Sequence, residues 1–459
     1  MRREEPGFCG SARLPQKPGK REGRCCEPCF RLGKTAERVS VRVLRWFCPS
    51  PSRLPGGLPD APEGNVLPFC LVIEIGNISL RSAVRAVRAF AARETVLVVA
   101  VAAALASCAL VPPDAGYAAY VDWHTLALLF CLMAVVAGFR SLGVLDAAGA
   151  WLVARARTQR AVAGVLVGLA FFASMAVTND VALITFVPLA LVVLRRAGME
   201  GRMCLVATLM TIAANLGSMF TPVGNPQNLY LFTASGMGVG EFLQLMGPYT
   251  AASAAMLALA CALCFRGGEV RGAGGVDTFA GFPFRSRKRL AMYGALFACC
   301  LAAVLGVLDV RVLLALVLVG VSLSDASLLR RVDWGLLATF AALFVFVGNM
   351  GRVPVLHEAL SAAVGGNALL AAVGGSQVIS NVPAAVLLSG FTDQWQALIV
   401  GTNLGGLGTL IASMASLITF KAVMVGRPGI RGRYLLVFTA WNVAFLAALL
   451  ALAVVLGAI

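Results

Sequence analysis

Charged and histidine side chains are scarce in this chain. Of its 459 residues, 13% are charged and two are histidines, whereas 59% are hydrophobic and the mean hydropathy is +0.84. Soluble domains carry about 25% charged residues, so a water-soluble fold of this composition could not cover its surface with polar groups. Most of the apolar surface must therefore face lipid or other helices, which predicts an all-α polytopic membrane protein.

Sequence motifs for covalent chemistry are also missing. No nucleophile–base set, phosphate-binding Walker loop or paired-acid constellation occurs, which argues against a membrane enzyme or an ATP-driven pump. Cys25, Cys26 and Cys29 are not followed by a second ligand pair with zinc-like spacing. We therefore expect no enzymatic activity, and no cofactor other than a coupling ion, Na⁺ or H⁺.

The net positive charge of +16 is concentrated at the N-terminus. Residues 1–94 hold 17 of the 38 Lys and Arg residues but show no helix or strand periodicity. This pattern favours a disordered basic extension, and a start codon assigned too far upstream is the alternative. Most other basic residues lie at joints between apolar blocks, where cytoplasmic loops of membrane proteins carry them. The charge is therefore no indication of nucleic-acid binding.

Apolar stretches of about 20 residues, the length that crosses a bilayer, recur after residue 94. Two stretches, 161–195 and 364–396, are interrupted by polar residues, and each is predicted to form a re-entrant helical hairpin. Basic residues flank 161–195 and crowd the loop 266–288, so these segments and the N-terminus are expected on the inner side of the cytoplasmic membrane. The other candidate spans are 95–112, 124–140, 203–234 (interrupted), 241–265, 289–307, 310–328, 334–350, 397–424 and 434–458.

The membrane region repeats the same landmarks in the same order. Val121-Asp122-Trp123 and Val332-Asp333-Trp334 each open an apolar helix, and a polar-tipped hairpin follows each. Then ANLGSMFTPVGNPQNLYL (214–231) aligns with TNLGGLGTLIASMASLIT (402–419). The chain crosses the membrane an odd number of times between the copies. This predicts two inverted repeats, 95–265 and 289–459, each with a re-entrant hairpin and a broken transmembrane helix, as in secondary transporters.

Glycine, proline and amide residues interrupt the aligned helices, and non-helical backbone at membrane depth survives only inside protein or beside a polar cavity. Broken helices expose carbonyls that bind cations and amides that attract anions. Alternatively, such small polar residues only allow helices to approach one another, as we expect for Gly164/Gly168 and Gly401/Gly405. The candidate substrate- or ion-binding residues are Thr178, Asn179, Asp180, Asn215, Gly217, Thr221, Gly224, Asn225, Ser380, Asn381, Asn403, Gly405, Thr409 and Ser413, with Asn179 and Asn381 as candidate Na⁺ ligands.

Asp180 is the only acidic residue between Asp146 and Glu200, and it lies at the tip of the first predicted hairpin. An intramembrane carboxylate costs about 3 kcal/mol on insertion scales and usually marks an ion or proton path. Capping of the helix that follows explains an aspartate at this place equally well.

Four motifs resemble those of the ion transporter superfamily, which holds citrate transporters, arsenite permeases and divalent anion/sodium symporters. They are TNDVALITFVPLAL (178–191), ANLGSMFTPVGNPQN (214–228), ISNVPAAVLL (379–388) and GTNLGGLGTLIAS (401–413). The resemblance covers roughly 95–459 and implies facing hairpins, a homodimer and elevator-type movement. Sodium-coupled members carry Ser-Asn-Thr at each tip. Here the tips read Thr178-Asn179-Asp180 and Ser380-Asn381-Val382, so the asparagines match and the third-position threonines do not.

The sequence therefore predicts a secondary active transporter that moves a small anion, a carboxylate or an oxyanion, with coupling to Na⁺ or H⁺. Its expected partners are this anion, the lipid bilayer and a second copy of the chain. A cation/proton antiporter, which Asp180 would suit, is one alternative. A channel-like membrane protein without coupled transport is the other.

Overall fold

The computed structural model describes residues 94–265, 267–269 and 287–458, together with residues 85, 88 and 91. The predicted basic extension, up to residue 84, and most of the predicted loop 266–288 lie outside the described residues. The described chain is helical, and its one β contact is an isolated bridge between Thr158 and Glu269. The all-α fold predicted from composition is confirmed.

The helices are numbered here in chain order. They are α1 (Thr95–Ser107), α2 (Tyr117–Tyr120), α3 (Trp123–Ser141), α4 (Val144–Val153), α5 (Gln159–Val177), α6 (Asn179–Arg196), α7 (Met203–Ser218), α8 (Pro226–Ser235), α9 (Val239–Cys264), α10 (Arg287–Val304), α11 (Val310–Asp325), α12 (Trp334–Gly351), α13 (Pro354–Gly365), α14 (Ala368–Ile379), α15 (Asn381–Ser389), α16 (Trp395–Leu404), α17 (Met414–Met424) and α18 (Arg431–Val455).

Six helical segments of the described chain are long and apolar enough to cross a membrane. A seventh candidate is the pair α13–α14, which bends by 106° between its two helices. The protein is therefore a multi-pass membrane protein. The six segments are Trp123–Ser141, Gln159–Val177, Val239–Cys264, Val310–Arg331, Trp334–Gly351 and Arg431–Val455.

Both polar-tipped stretches break where the sequence predicts. A single residue, Thr178, separates α5 from α6, and a single residue, Ser380, separates α14 from α15. We call these helix pairs the first hairpin and the second hairpin. Their re-entrant course and the inverted relation of the two halves are defined relative to a bilayer, and both stay predictions.

The two glycine-rich segments are breaks as well. The first broken helix is α7–α8, interrupted between Ser218 and Pro226, and the second is α16–α17, interrupted between Leu404 and Met414. Asn225 caps α8 by accepting a hydrogen bond of 2.8 Å from the N–H of Asn228, and Pro226 occupies the first helical position. The stretch 397–424 is thus two short helices, as its glycines predict.

The broken helices form the centre of the protein. Every residue of α7 from Val206 to Ser218 is buried, and so is every residue of α16 from Leu398 to Leu404. Each hairpin packs against the broken helix of its own half. Polar side chains on these helices therefore lie away from lipid, where an unpaired polar group costs several kcal/mol.

Candidate functional site

Side chains of the two broken helices meet in one hydrogen-bonded cluster. The Asn225 amide nitrogen donates to the Asn403 side-chain oxygen at 3.1 Å, and the Ser413 hydroxyl donates to the Asn215 side-chain oxygen at 3.0 Å. All four side chains are buried. The sequence alignment pairs Asn215 with Asn403 and Asn225 with Ser413, so the two contacts are equivalent. Each joins one half of the chain to the other.

The hairpin tips are held against this cluster. Asn179 donates through its amide nitrogen to the side-chain oxygen of Asn215 at 3.0 Å, and its backbone N–H donates to the carbonyl of Gly224 at 3.3 Å. In the second half, the backbone N–H of Asn381 donates to the carbonyl of Ala412 at 2.9 Å. Ala412 occupies the position that the alignment pairs with Gly224. Each tip asparagine thus contacts the break in its own half.

Thr221 and Thr409, which were predicted as site residues, connect each break to a hairpin. The Thr221 hydroxyl donates to the carbonyl of Met175, and the Thr409 hydroxyl donates to the carbonyl of Gln377 at 3.1 Å. Both accepting residues stand three positions before the tip of their hairpin. The hydroxyl protons of both threonines are therefore used in contacts between helices.

The predicted glycines allow the backbones to approach closely. A Cβ atom on Gly217 would lie 2.6 Å from the Ser174 hydroxyl oxygen of the first hairpin, and one on Gly405 would lie 2.6 Å from the Ser376 hydroxyl oxygen of the second. A Cβ atom on Gly224 would collide with the carbonyl of Ser218 within the first break. At these three positions a side chain has no room, and the glycines are structural parts of the site.

The tip residues Thr178 and Ser380 have strained backbones. Their φ and ψ angles are 74° and 150° for Thr178 and 77° and 153° for Ser380. Within the described residues they are the only non-glycine positions with positive φ. This region is essentially restricted to glycine, costs about 1–3 kcal/mol for other residues, and is concentrated at functional sites. The same strain at both tips was not predictable from residue type.

Asn228 completes the cluster but was not among the predicted site residues. Its amide nitrogen donates to the carbonyls of Ser218, Met219 and Thr221 at 3.3–3.4 Å. Its side-chain oxygen accepts from the amide nitrogen of Asn403 at 2.6 Å. One side chain thus bonds three of the carbonyls in the first break. We call Asn179, Asn215, Asn225, Asn228, Asn403 and Ser413 the asparagine cluster.

In the second half, Gln377 bonds the carbonyls of the break. It was also not among the predicted site residues. Its amide nitrogen donates to the carbonyls of Gly405 and Leu407, both at 2.9 Å, and its side-chain oxygen accepts from the N–H of Thr409 at 2.8 Å. Both breaks are therefore stabilised by an amide side chain. In the first half it comes from the broken helix itself, and in the second half it comes from the hairpin.

Asp180 leaves one carboxylate oxygen without a partner. Its Oδ1 atom is buried and forms no hydrogen bond within the described part of the chain. The alternative role of Asp180, capping of the helix that follows, is not seen, because the helix begins at Asn179 after Thr178 and no side chain caps it. Asp180 instead lies inside the first turn. A carboxylate with one buried, unpartnered oxygen is suited, in a membrane protein, to take up a proton or to face a cation.

The side-chain oxygens of the two tip asparagines, the candidate Na⁺ ligands, differ in how they are used. That of Asn179 accepts from the N–H of Asp180 at 2.9 Å, and because an amide oxygen has two lone pairs, it retains capacity for an ion. That of Asn381 accepts from the N–H of Val382 at 3.0 Å and from the hydroxyl of Ser380 at 3.5 Å, so an ion there would take the place of the Ser380 proton. Among the described residues no group of three or more His, Cys, Asp or Glu could hold a metal ion.

Comparison with known proteins places these elements in a family. A family model described as "Citrate transporter" matches residues 86–394, which include both hairpins and the first broken helix. The inner membrane protein YbiR of Escherichia coli (strain K12) is 32% identical over 309 residues, covering 67% of this chain and 81% of that protein. The uncharacterized transporter MJ0456 of Methanocaldococcus jannaschii is 32% identical over 312 residues, covering 67% of this chain and 84% of that protein.

Proposed function

This chain belongs to the citrate transporter family and is a membrane transporter, and we propose on that basis that it is a secondary active carrier. Its substrate is a small carboxylate or oxyanion, which crosses the cytoplasmic membrane together with Na⁺ or H⁺. The observation that carries the proposal is the asparagine cluster, in which two broken helices and a hairpin tip meet through buried amide groups.

The charge distribution around the cluster supports an anionic substrate. Four helices, α6, α8, α15 and α17, begin at the tips and the breaks. The N-terminal end of a helix carries a partial positive charge and free N–H groups, which together attract anions. Each carbonyl oxygen at the breaks has a second lone pair beside the one that accepts an amide N–H, and these lone pairs are suitable ligands for a cation. A cation bound next to the substrate would offset its negative charge.

The hydrogen bonds that join the hairpins to the broken helices support an elevator-type mechanism. The hydrogen bonds from Thr221 to Met175 and from Thr409 to Gln377 fasten each hairpin to its break. The bonds between Asn225 and Asn403 fasten the two halves. These elements would therefore shift as one body. A second copy of the chain would provide the fixed partner in a homodimer.

Alanine at either tip asparagine is expected to abolish anion uptake without unfolding the protein. Asn179→Ala removes a donor to Asn215, and Asn381→Ala removes an oxygen that we assign to ion binding. Uptake of labelled citrate, succinate, sulfate, phosphate and arsenite into liposomes, under a Na⁺ or a pH gradient, measures the effect. Asn442→Ala is the control, because this buried asparagine bonds only the carbonyl of Phe438 on its own helix. Normal uptake by both tip variants would place the site elsewhere.

The unpartnered carboxylate oxygen of Asp180 favours a cation/proton antiporter as the second candidate. Asp180→Asn is expected to abolish the dependence of transport on pH or on the coupling ion, with thermal stability kept, because the substitution removes the charge of a half-buried side chain and keeps its size. Asp146→Asn is the matched acidic control. If the variant only lowers the yield of folded protein, Asp180 has a structural role. Thermal stabilisation of the wild type by cations alone, with no effect of anions, would select the antiporter.

A further inference from the structure

A groove of about 480 Å³ runs along the surface between α5 and α9. The sequence predicts that Gly164 and Gly168 allow another helix to approach, but a Cβ atom on either glycine would meet nothing within 4 Å. The second predicted packing pair, Gly401 and Gly405, does contact another helix, because a Cβ atom on Gly401 would meet the carbonyl of Leu369 at 2.5 Å. The space in front of Gly164 and Gly168 is therefore left open by the described part of the chain.

The groove is apolar along most of its length. Val167, Phe171 and Phe172 of α5 line one side, and Leu257 and Ala258 of α9 line the other. The exposed fraction of Phe172 is 67%. In a membrane, such a surface contacts hydrocarbon chains.

One end of the groove is cationic. Arg160, in the first turn of α5, lines it and donates through Nε to the carbonyl of Phe265 at 3.2 Å. Its terminal amino groups form no hydrogen bond with any described residue, which leaves them available. Arg155 precedes it and stacks over the ring of Trp151, with 3.4 Å between the guanidinium carbon and the ring centroid. Tryptophan and basic residues are typical of the membrane–water interface.

The length of the groove matches one lipid leaflet. Phe172 lies twelve positions after Arg160, and at 1.5 Å per position the two are about 18 Å apart along the helix. Half of the hydrocarbon core of a bilayer is about 15 Å thick. A chain that starts at the level of Arg160 would thus reach the bilayer midplane near Phe172.

We propose that this groove binds an anionic phospholipid, with its phosphate on the guanidinium of Arg160 and one acyl chain along Gly164 and Gly168. Basic pockets between membrane helices on the cytoplasmic side bind such headgroups, and arginine pairs with phosphate in a bidentate geometry. The site lies outside the asparagine cluster, so it is independent of the transported substrate.

A second copy of the chain would fill the groove less well. In a two-fold dimer with its axis along the membrane normal, identical residues lie at equal depth. Packing two grooves together would therefore bring Arg160 close to its own copy. An anionic lipid instead neutralises this charge.

The proposal is tested with the purified full-length protein and two lipids, the anionic dioleoylphosphatidylglycerol and the zwitterionic dioleoylphosphatidylcholine. Native mass spectrometry measures how much of each lipid binds, and thermal unfolding measures how far each lipid raises the midpoint. We expect the anionic lipid to bind preferentially and to raise the midpoint further. Arg160→Gln should weaken its binding about fivefold, since each basic residue near the surface contributes about 1 kcal/mol. Arg330→Gln, at another basic joint, is the control and should bind normally.

Gly168→Leu fills the groove without a backbone clash, because nothing lies within 4 Å of its Cβ position. We expect this variant to lose both lipids, while Gly294→Leu, at an exposed glycine of α10 with equally open surroundings, binds as the wild type does. Equal binding of the two lipids by the wild type, or unchanged binding by Gly168→Leu, would overturn the proposal. So would a wild-type dimer that Gly168→Leu converts to a monomer, because the occupant would then be a second copy.

Discussion

Asn403→Leu is expected to lower the free energy of unfolding by about 2–5 kcal/mol and to abolish transport. Asn403 makes two of the hydrogen bonds between the broken helices, because it accepts from Asn225 and donates to Asn228. Leucine is similar in size to asparagine, so the volume of the side chain is kept. The side-chain oxygen of Asn228 loses its donor, however, and the amide nitrogen of Asn225 loses one of its two acceptors. Each buried polar group that loses its partner costs about 1–3 kcal/mol.

Thermal unfolding in detergent, with uptake into liposomes, measures this effect. Asn442→Leu is the matched control, since Asn442 is equally buried but already has an unpaired side-chain oxygen. Replacing the Asn442 amide by an apolar side chain should leave the midpoint of thermal unfolding unchanged or raise it. Equal destabilisation of the two variants would mean that the volume of the side chain matters and that the bonds between the halves do not.

Gly217→Ala is expected to prevent the first hairpin from docking, with a large fall in the yield of folded protein and no uptake. The added methyl group would collide with the backbone carbonyl of Phe171 and lie 2.6 Å from the Ser174 hydroxyl oxygen. Backbone cannot rotate away as a flexible side chain can, so α5 and α7 would have to separate. Overpacking of this kind costs about 1–3 kcal/mol and occasionally more.

Gly168→Ala is the control for Gly217→Ala, because it adds the same methyl group to α5 where nothing lies within 4 Å. It should be neutral or stabilise the helix by up to about 1 kcal/mol. Size-exclusion profiles and thermal midpoints of the two purified variants give the comparison. A normal midpoint for Gly217→Ala would show that α5 and α7 are not packed as closely as the structure has them.

The broken elements were predictable because their physical causes are local. Prolines and glycines around Thr221, and three glycines from Gly405 to Gly408, destabilise a continuous helix, and a polar pair in an apolar stretch marks the tips. The internal alignment added the pairing of Asn215 with Asn403 and of Asn225 with Ser413. It thereby selected four residues that the structure brings together.

The rest of the site depends on side-chain reach and backbone angles, which single residues do not reveal. Asn228 stands in a motif that was recognised, yet its amide could equally have faced solvent. Gln377 lies on a hairpin rather than at a break, and only the packed structure shows its contact with Gly405 and Leu407. Likewise, the positive φ of Thr178 is imposed by the surrounding contacts, because threonine itself disfavours it.

Asn228 and Gln377, the amide side chains that bond the carbonyls of the two breaks, lie on different elements. This difference implies an order in which the hydrogen bonds of the site form during synthesis. In the first break, Asn228 bonds three carbonyls and Asn179 of the preceding hairpin bonds that of Gly224, so all these partners belong to the N-terminal half. The second break needs Gln377, which the ribosome has already made, so its carbonyls are bonded once α16 meets the second hairpin. The bonds to Asn403 and Ser413 then form last. The N-terminal half can therefore reside in the membrane with these break carbonyls bonded while the C-terminal half is still being translated.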